Sequence, residues 1–204
     1  MLPVPPDDLR EQDGACTPAS LLDRVRANEE AAWRRFVQLY SPLVYSWAKR
    51  CGLKNQDAAD VLQEVFHAVA RNVGQFRPDP AAGSFRGWLW VITRNKVRDH
   101  FRAAGAEPVG GTDMQNRLQE IPESEPESWS ESGDCSRASL VSRATQLIRD
   151  DFEPHTWQAF WRLAVENHTA RDIAADLGMT VDAVYQAKAR VLRRLREELH
   201  GHAG

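Results

Sequence analysis

Cysteine is scarce: Cys16, Cys51 and Cys135 are the only three in 204 residues, and no two stand at C-x-x-C spacing. This argues against a disulfide framework or a cysteine-built zinc site, and it fits a cytoplasmic chain with reduced thiols. No stretch approaches the roughly 18 apolar residues of a membrane span. The opening residues, MLPVPPDDLREQDG, lack a signal peptide's basic-then-apolar order, so no membrane insertion is expected. The six histidines show no ligand spacing beyond His200-x-His202, and no metal is expected. Neither a nucleophile–base arrangement nor a phosphate-cradling glycine loop is present, which leaves no basis for an enzyme or a cofactor. Sustained period-2 alternation is also missing, so strands are not expected.

Charge is present, but unevenly placed. The net charge is −3, yet residues 19–102 carry 14 Lys or Arg against 8 Asp or Glu, while residues 103–138 carry 2 against 8. Such asymmetry points to an anionic partner for the first block despite the acidic total. Residues 103–138 are rich in Gly, Pro, Ser and Glu and bury too little apolar surface to offset their ordering entropy. They read as a flexible acidic linker, and residues 1–18 as a disordered tail. The expected fold is all-α, with two small helical domains at 19–102 and 139–204.

Local signals place the helices. Ser20-Leu-Leu-Asp23 is a capping box that opens a short helix. Ala31 to Cys51 carries Trp33, Phe36, Val37, Tyr40, Val44 and Trp47 at helical spacing, with Gly52 as a stop and Pro42 expected to kink or split it at Ser41. Asn55–Val73 is a third helix, with Val61, Val65, Ala68 and Val69 inward, and residues 84–102 make a fourth. Periodicity resumes over Leu140–Asp151, Pro154–Asn167, Thr169–Leu177 and Thr180–Leu199.

The last of these segments, TARDIAADLGMTVDAVYQAKARVLRRL, has the layout of a helix-turn-helix. Thr169-x-x-Asp172 caps the first helix, whose Ile173, Ala174 and Leu177 face inward. Gly178 supplies the turn, Thr180 caps the second helix, and Val184 packs back on the first. Such a second helix enters the major groove, with Asp182, Ala183, Tyr185, Gln186, Lys188, Arg190 and Arg193 as its outward candidates. Gln186 suits an adenine edge; Lys188 or Arg190 suits a guanine or a phosphate.

Residues 83–102, GSFRGWLWVITRNKVRDHFR, combine aromatic and basic character. At 100° per residue, Phe85, Trp88, Leu89 and Ile92 share one face and are expected core, and Trp90, Val97 and Phe101 form a second apolar strip. Two apolar strips disfavour a membrane-surface helix, which needs only one. Arg94, Arg98 and Arg102, with Asn95 beside them, form a ridge repeating at about 6 Å that suits a nucleic-acid backbone. The loop just before it, FRPDPAAG (76–83), is irregular and exposed, and suits an unstacked base.

Together these segments resemble bacterial sigma factors of the extracytoplasmic-function (ECF) type, in the sigma-70 family. DAADVLQEVFHAVARNVGQF is similar to the family's D-A-x-D-x-x-Q-E-x-F helix at Asp57, Asp60, Gln63, Glu64 and Phe66. SFRGWLWVITRNKVRDHFR matches the following segment at Phe85, Trp88, Leu89, Ile92, Asn95, Asp99 and Arg102. The resemblance implies a non-catalytic subunit that binds core RNA polymerase and recognises promoter DNA. Under it, Asp57, Asp60, Gln63 and Glu64 meet the polymerase β′ clamp helices. The loop from Arg77 to Ser84 captures a flipped −10 base, and Asn95, Lys96, Arg98 and Arg102 contact the −10 strand; Arg94 joins them on geometry alone. The helix-turn-helix, from Thr180 through Arg193, reads the −35 duplex and its domain meets the β flap. An anti-sigma factor is a further partner the resemblance admits. One departure stands out: the family's T-V-K-S-R start is here Ala183-Val-Tyr-Gln-Ala187, without its two basic positions.

Two promoter elements about two helical turns apart lie ~70 Å from each other. A 36-residue coil spans about 33 Å r.m.s. and about 120 Å fully extended, so the linker bridges them only when held stretched. The main rival is a stand-alone helix-turn-helix regulator that binds a symmetric operator unaided. A second rival is an interaction protein whose basic helix docks an acidic partner.

Overall fold

A computed structural model describes residues 20–76, 84–104, 119–130, 133 and 136–199. All regular elements among them are helical. In chain order they are α1 (Leu21–Arg26), α2 (Glu30–Arg50), α3 (Asn55–Asn72), α4 (Phe85–Ala104), α5 (Glu127–Ser130), α6 (Arg137–Ile148), α7 (Pro154–Ala164), α8 (Ala170–Leu177) and α9 (Val181–Leu199), with a 3-10 turn at Arg149–Asp151 after α6.

The local signals act as the sequence suggests. Ser20 Oγ accepts the Asp23 N–H, and the Asp23 carboxylate accepts the Ser20 N–H, so both halves of the capping box close over α1. The Ser20 hydroxyl bond holds the Asp23 carboxyl below the ordinary carboxylate range even though burial opposes it. Of the two outcomes expected at Pro42, a kink or a split, the split does not occur. Helix α2 runs unbroken through Pro42 for 21 residues, and the Ser41 hydroxyl donates to the Val37 carbonyl at 2.6 Å in the turn where proline has no N–H to give. The packing on either side outweighs the lost bond: Leu39, Tyr40, Leu43 and Val44 are all buried.

Helices α1 to α4 enclose a core rich in aromatic rings. Phe36 is its centre, stacked on Trp33 at 5.3 Å, tilted against Tyr40 at 4.6 Å, and edge-on to Phe66 and Phe85 at 5.8 Å each. Rings of this size contribute roughly 1.5–3 kcal/mol each by burial, plus about 0.5–1.5 kcal/mol per favourable pair. On α4 the buried apolar residues are Phe85, Leu89, Trp90, Val97 and Phe101, with Arg86 and Thr93 buried beside them. Trp88 and Ile92, expected in the core, are only half-buried at its edge, where Trp88 lies against Phe76 and Phe85.

The second half of the chain builds two smaller clusters. One joins Ala159, Ala170, Ile173, Ala174, Val184 and Ala187; the other joins Ile148, Phe160 and Val191. Helix α6 belongs to both halves, since Leu140 and Ala144 lie in the first core while Ile148 lies in the second. Helix α7 stops at Ala164, short of the expected Asn167, and Asn167 takes a positive φ of 58° in the turn toward α8. Within the acidic segment expected to be a flexible tether, residues 121–129 instead pack on α2 and α4, with Ile121 fully inside the first core and Trp129 edge-on to Trp90.

Candidate nucleic-acid interface

Helices α8 and α9 meet through Gly178, whose φ of 64° and ψ of 30° place it in the left-handed region at the end of α8. A side chain there would be strained, so glycine sets the turn. Thr169 Oγ1 accepts the Asp172 N–H at 3.2 Å, and Thr180 Oγ1 accepts the Ala183 N–H at 3.1 Å; both helices start on a hydroxyl cap. Val184 and Ala187 are fully buried against α8, which fixes the rotation of α9. That rotation leaves Thr180, Asp182, Tyr185, Gln186, Arg190 and Arg193 exposed, with Ala183 and Lys188 half-buried along the edge. Tyr185 is 55% exposed. Arg193 lies 3.9 Å from Glu197, a loose solvent-facing pair.

The α4 ridge is less open than its sequence implies. Arg94 donates from Nη1 to the Glu123 carbonyl at 2.8 Å, and Arg98 reaches the Ile121 carbonyl at 3.5 Å. Trp90 Nε1 also donates to the Glu123 carbonyl, at 3.3 Å. Arg86 lies one turn earlier, and its guanidinium forks onto the Glu125 carboxylate, with Nε to Oε2 at 2.6 Å and a second bond from Nη2 to Oε1. Trp47 Nε1 donates to the same carboxylate at 2.8 Å. Arg102 remains 64% exposed beside Asp99, and Asn95 is exposed. Ser84 serves as a cap for α4, its Oγ accepting the Gly87 N–H at 3.2 Å. Arg77 and the loop 77–83 lie outside the described residues. Beside the point where that loop leaves and returns is a 680 Å³ cleft bordered by Asn72, Gln75, Phe76, Trp88 and Val91.

The acidic residues singled out on α3 lie on one outer face. Asp60, Gln63 and Glu64 are exposed and Asp57 is half-buried. Two of them reach α4: Lys96 Nζ stands 3.3 Å from Glu64, and His100 Nε2 stands 3.9 Å from Asp57. Lys96 thus bridges the acidic face of α3 to the basic face of α4.

Two further features escaped the sequence reading. An open apolar groove of 1250 Å³ runs between α6 and α7, with Val141, Trp157, Trp161 and Val165 along it and Leu192 and Leu195 at its floor. Trp157 and Trp161, one turn apart and stacked at 6.0 Å, were the available signal. The other feature is an ionic cluster joining the two halves. Arg35 pairs with Asp151, Arg194 Nε reaches Asp151 at 3.1 Å, and Arg194 Nη1 reaches the fully buried Glu198 at 2.6 Å. Burial, reinforced by the charge of Glu198, pushes the Tyr40 hydroxyl far above its ordinary range.

Residues 36–107 match the family model for Sigma-70 region 2, which covers α3, α4 and most of α2. The chain is 27% identical over 175 residues to the ECF RNA polymerase sigma factor SigE of Mycolicibacterium smegmatis, covering 84% of this chain and 63% of that protein. It is 31% identical over 176 residues to the ECF RNA polymerase sigma factor BldN of Streptomyces coelicolor, covering 86% and 64%. The chain therefore spans just under two thirds of the length of these two relatives. Among solved structures, CnrH in complex with the cytosolic domain of CnrY is 20% identical, over 86% of this chain and 92% of that one, with a TM-score of 0.36. Within the all-helical fold, residues 36–107 on α2, α3 and α4 are similar to Sigma-70 region 2. Over more than four fifths of its length the chain is similar to extracytoplasmic-function sigma factors of the sigma-70 family.

Proposed function

We propose that this chain is a promoter-specificity subunit that binds core RNA polymerase, reads a −35 duplex and captures an opened −10 strand, with no catalytic activity of its own. The observation that carries this reading is the exposed stripe of Asp182, Tyr185, Gln186, Arg190 and Arg193 on a helix whose caps and turn are those of a helix-turn-helix. Side chains of this kind at the N-terminal half of a second helix reach base edges and phosphates in the major groove.

The rest of the surface divides in keeping with that role. The exposed α3 face of Asp60, Gln63 and Glu64, with Asp57 at its edge, offers the polymerase clamp a charged docking patch. The groove of Trp157 and Trp161 accepts an apolar helix, as the β flap would present. Asn95, Lys96, Arg98 and Arg102 supply donors along α4 for the −10 strand. The cleft beside Trp88 is wide enough for a flipped base, which costs a few kcal/mol to unpair and regains it by stacking. Residues 19–102 and 139–204 then act as two DNA-facing domains, with 103–138 passing between them.

Transcription with purified core polymerase on genomic promoter fragments tests the reading. Promoter-specific initiation is the expected result. Absence of initiation on every fragment, together with nanomolar duplex binding by the protein alone, would instead support the stand-alone regulator. Arg98→Ala combined with Arg102→Ala should impair open-complex formation more than core binding; an equal loss of both would make the ridge a structural or polymerase-facing element.

A further inference from the structure

Residues 121–125 lie across α4 as a strap. Its hold is of two kinds. At its ends side chains anchor it: Ile121 is 3% exposed within the core, and the Glu125 carboxylate is held by Arg86 and Trp47. Past the strap, Trp129 adds an edge contact to Trp90 and lies under the Arg50 guanidinium at 5.5 Å. Between the anchors, the strap meets the ridge with backbone oxygens, the Glu123 carbonyl on Arg94 and the Ile121 carbonyl on Arg98.

A backbone carbonyl is a weak stand-in for an anion. Arginine's five donors match a phosphate's fork, and an anionic acceptor adds a charge that a carbonyl oxygen lacks. The strap leaves that capacity unspent: Arg94 Nε is buried and has no hydrogen-bond partner among the described residues, and the Arg98 contact is long at 3.5 Å. The strap also places the Glu125 carboxylate on Arg86 of α4 and the Glu123 carbonyl on Arg94. Its chemistry, oxygen acceptors plus negative charge spaced along an extended segment, is that of a single-stranded nucleic-acid backbone.

We infer that residues 121–125 are an intramolecular cover that occupies Arg94 and Arg98 in the free chain and must leave before single-stranded DNA can use them. The inference rests on the reading of α4 as a DNA-binding face. The cover is removable because the ridge bonds end on uncharged carbonyl oxygens and are incomplete, whereas a phosphate backbone offers the same guanidinium groups an opposite charge. Arg102, outside the cover and 64% exposed, stays available for first encounter.

The test uses the full chain and a mixed-sequence 20-nucleotide single strand at low salt. Ile121→Ser combined with Trp129→Ser loosens the strap while leaving Arg86 its Glu125 partner. The variant should bind the strand about tenfold tighter than wild type, with a salt slope steeper by about 1.4 for two added phosphate contacts. Adding Arg94→Ala and Arg98→Ala should abolish the gain. A folded variant with unchanged affinity, or a gain that survives loss of both arginines, would overturn the inference. Should the variant fail to fold, hydrogen exchange on the wild-type chain decides: bound strand should deprotect residues 121–129, and unchanged protection at saturation would refute the cover. Failure of the sigma-factor reading is separable, because it would appear as absent core-dependent initiation whatever the strap does.

Discussion

Arg35 on α2 and Asp151 after α6 stand 116 residues apart in the chain, yet the guanidinium forks onto the carboxylate, with Nη1 to Oδ2 at 2.8 Å. Arg194 shares the same carboxylate, and Arg35 also lies 3.8 Å from the buried Glu198. The two halves of the chain are therefore latched by two arginines and two acids, with three helical segments contributing.

The latch should be visible in acid. Burial alone would raise the Asp151 carboxyl, but the bond and charge of Arg35, joined by Arg194, outweigh it and hold the carboxyl below its ordinary 3.8. A depressed carboxyl stabilises the fold above its unfolded-state value, and that contribution fades as pH falls through the folded-state value. Asp151→Asn should cost about 1–2 kcal/mol at neutral pH. In urea unfolding, the gap between wild type and variant should be full at about pH 7 and should shrink below about pH 3. A gap of equal size at both would assign the loss to packing.

Glu64→Lys is expected to separate partner binding from folding. Glu64 is 64% exposed, and its contact with Lys96 is a surface pair worth about 0–1 kcal/mol. Thermal unfolding should move by no more than a few degrees. Co-purification with core polymerase should fall at least several-fold, and an unchanged yield would remove α3 from the polymerase-facing surface.

Gly178→Ala puts a Cβ on a residue at φ 64°, where nothing lies within 4 Å to clash with it. The cost is then backbone strain alone, roughly 1 kcal/mol. Denaturant midpoints should show that loss, and affinity for −35 duplex in the holoenzyme should fall as the α8–α9 angle relaxes. Gly52, with φ 90° and equally open surroundings, provides a matched control in the other half: its alanine variant should lose similar stability without the duplex defect.

The helices were legible because their signals are local. Ser20 with Asp23, Thr169 with Asp172, Gly178, and the spacing from Phe36 to Trp47 all act within a few turns. The core of α4 was legible for the same reason, apart from Trp88 and Ile92. Those two share the angle of the core face but pack at its edge and stay half-buried, which a helical wheel does not encode. Pro42 does not split α2 because the buried neighbours on either side hold the helix together, a gain that helix propensity ignores. The strap was hidden in composition: Glu125 looks like a solvent-facing acid until Arg86, 39 positions before it, and Trp47, 78 before it, come into contact with it, and Glu123 is engaged through its backbone carbonyl, not its carboxylate. Likewise the Arg94–Arg98–Arg102 spacing is real, but only the folded chain tells a covered arginine from an open one.

Helix α6 completes the first core with Leu140 and Ala144, and Arg143 Nε donates to the Leu39 carbonyl on α2 at 3.3 Å. On the ribosome, however, α6 starts 87 residues after α2 has ended. At about 5–20 residues per second that is a delay of roughly 4–17 s, during which the Leu39 flank of the nascent chain has nothing to close against it. Any partner meeting the chain in that interval encounters α1–α4 before the later half has been made. The order of synthesis thus gives the open arrangement a head start that the finished molecule, once latched, no longer has.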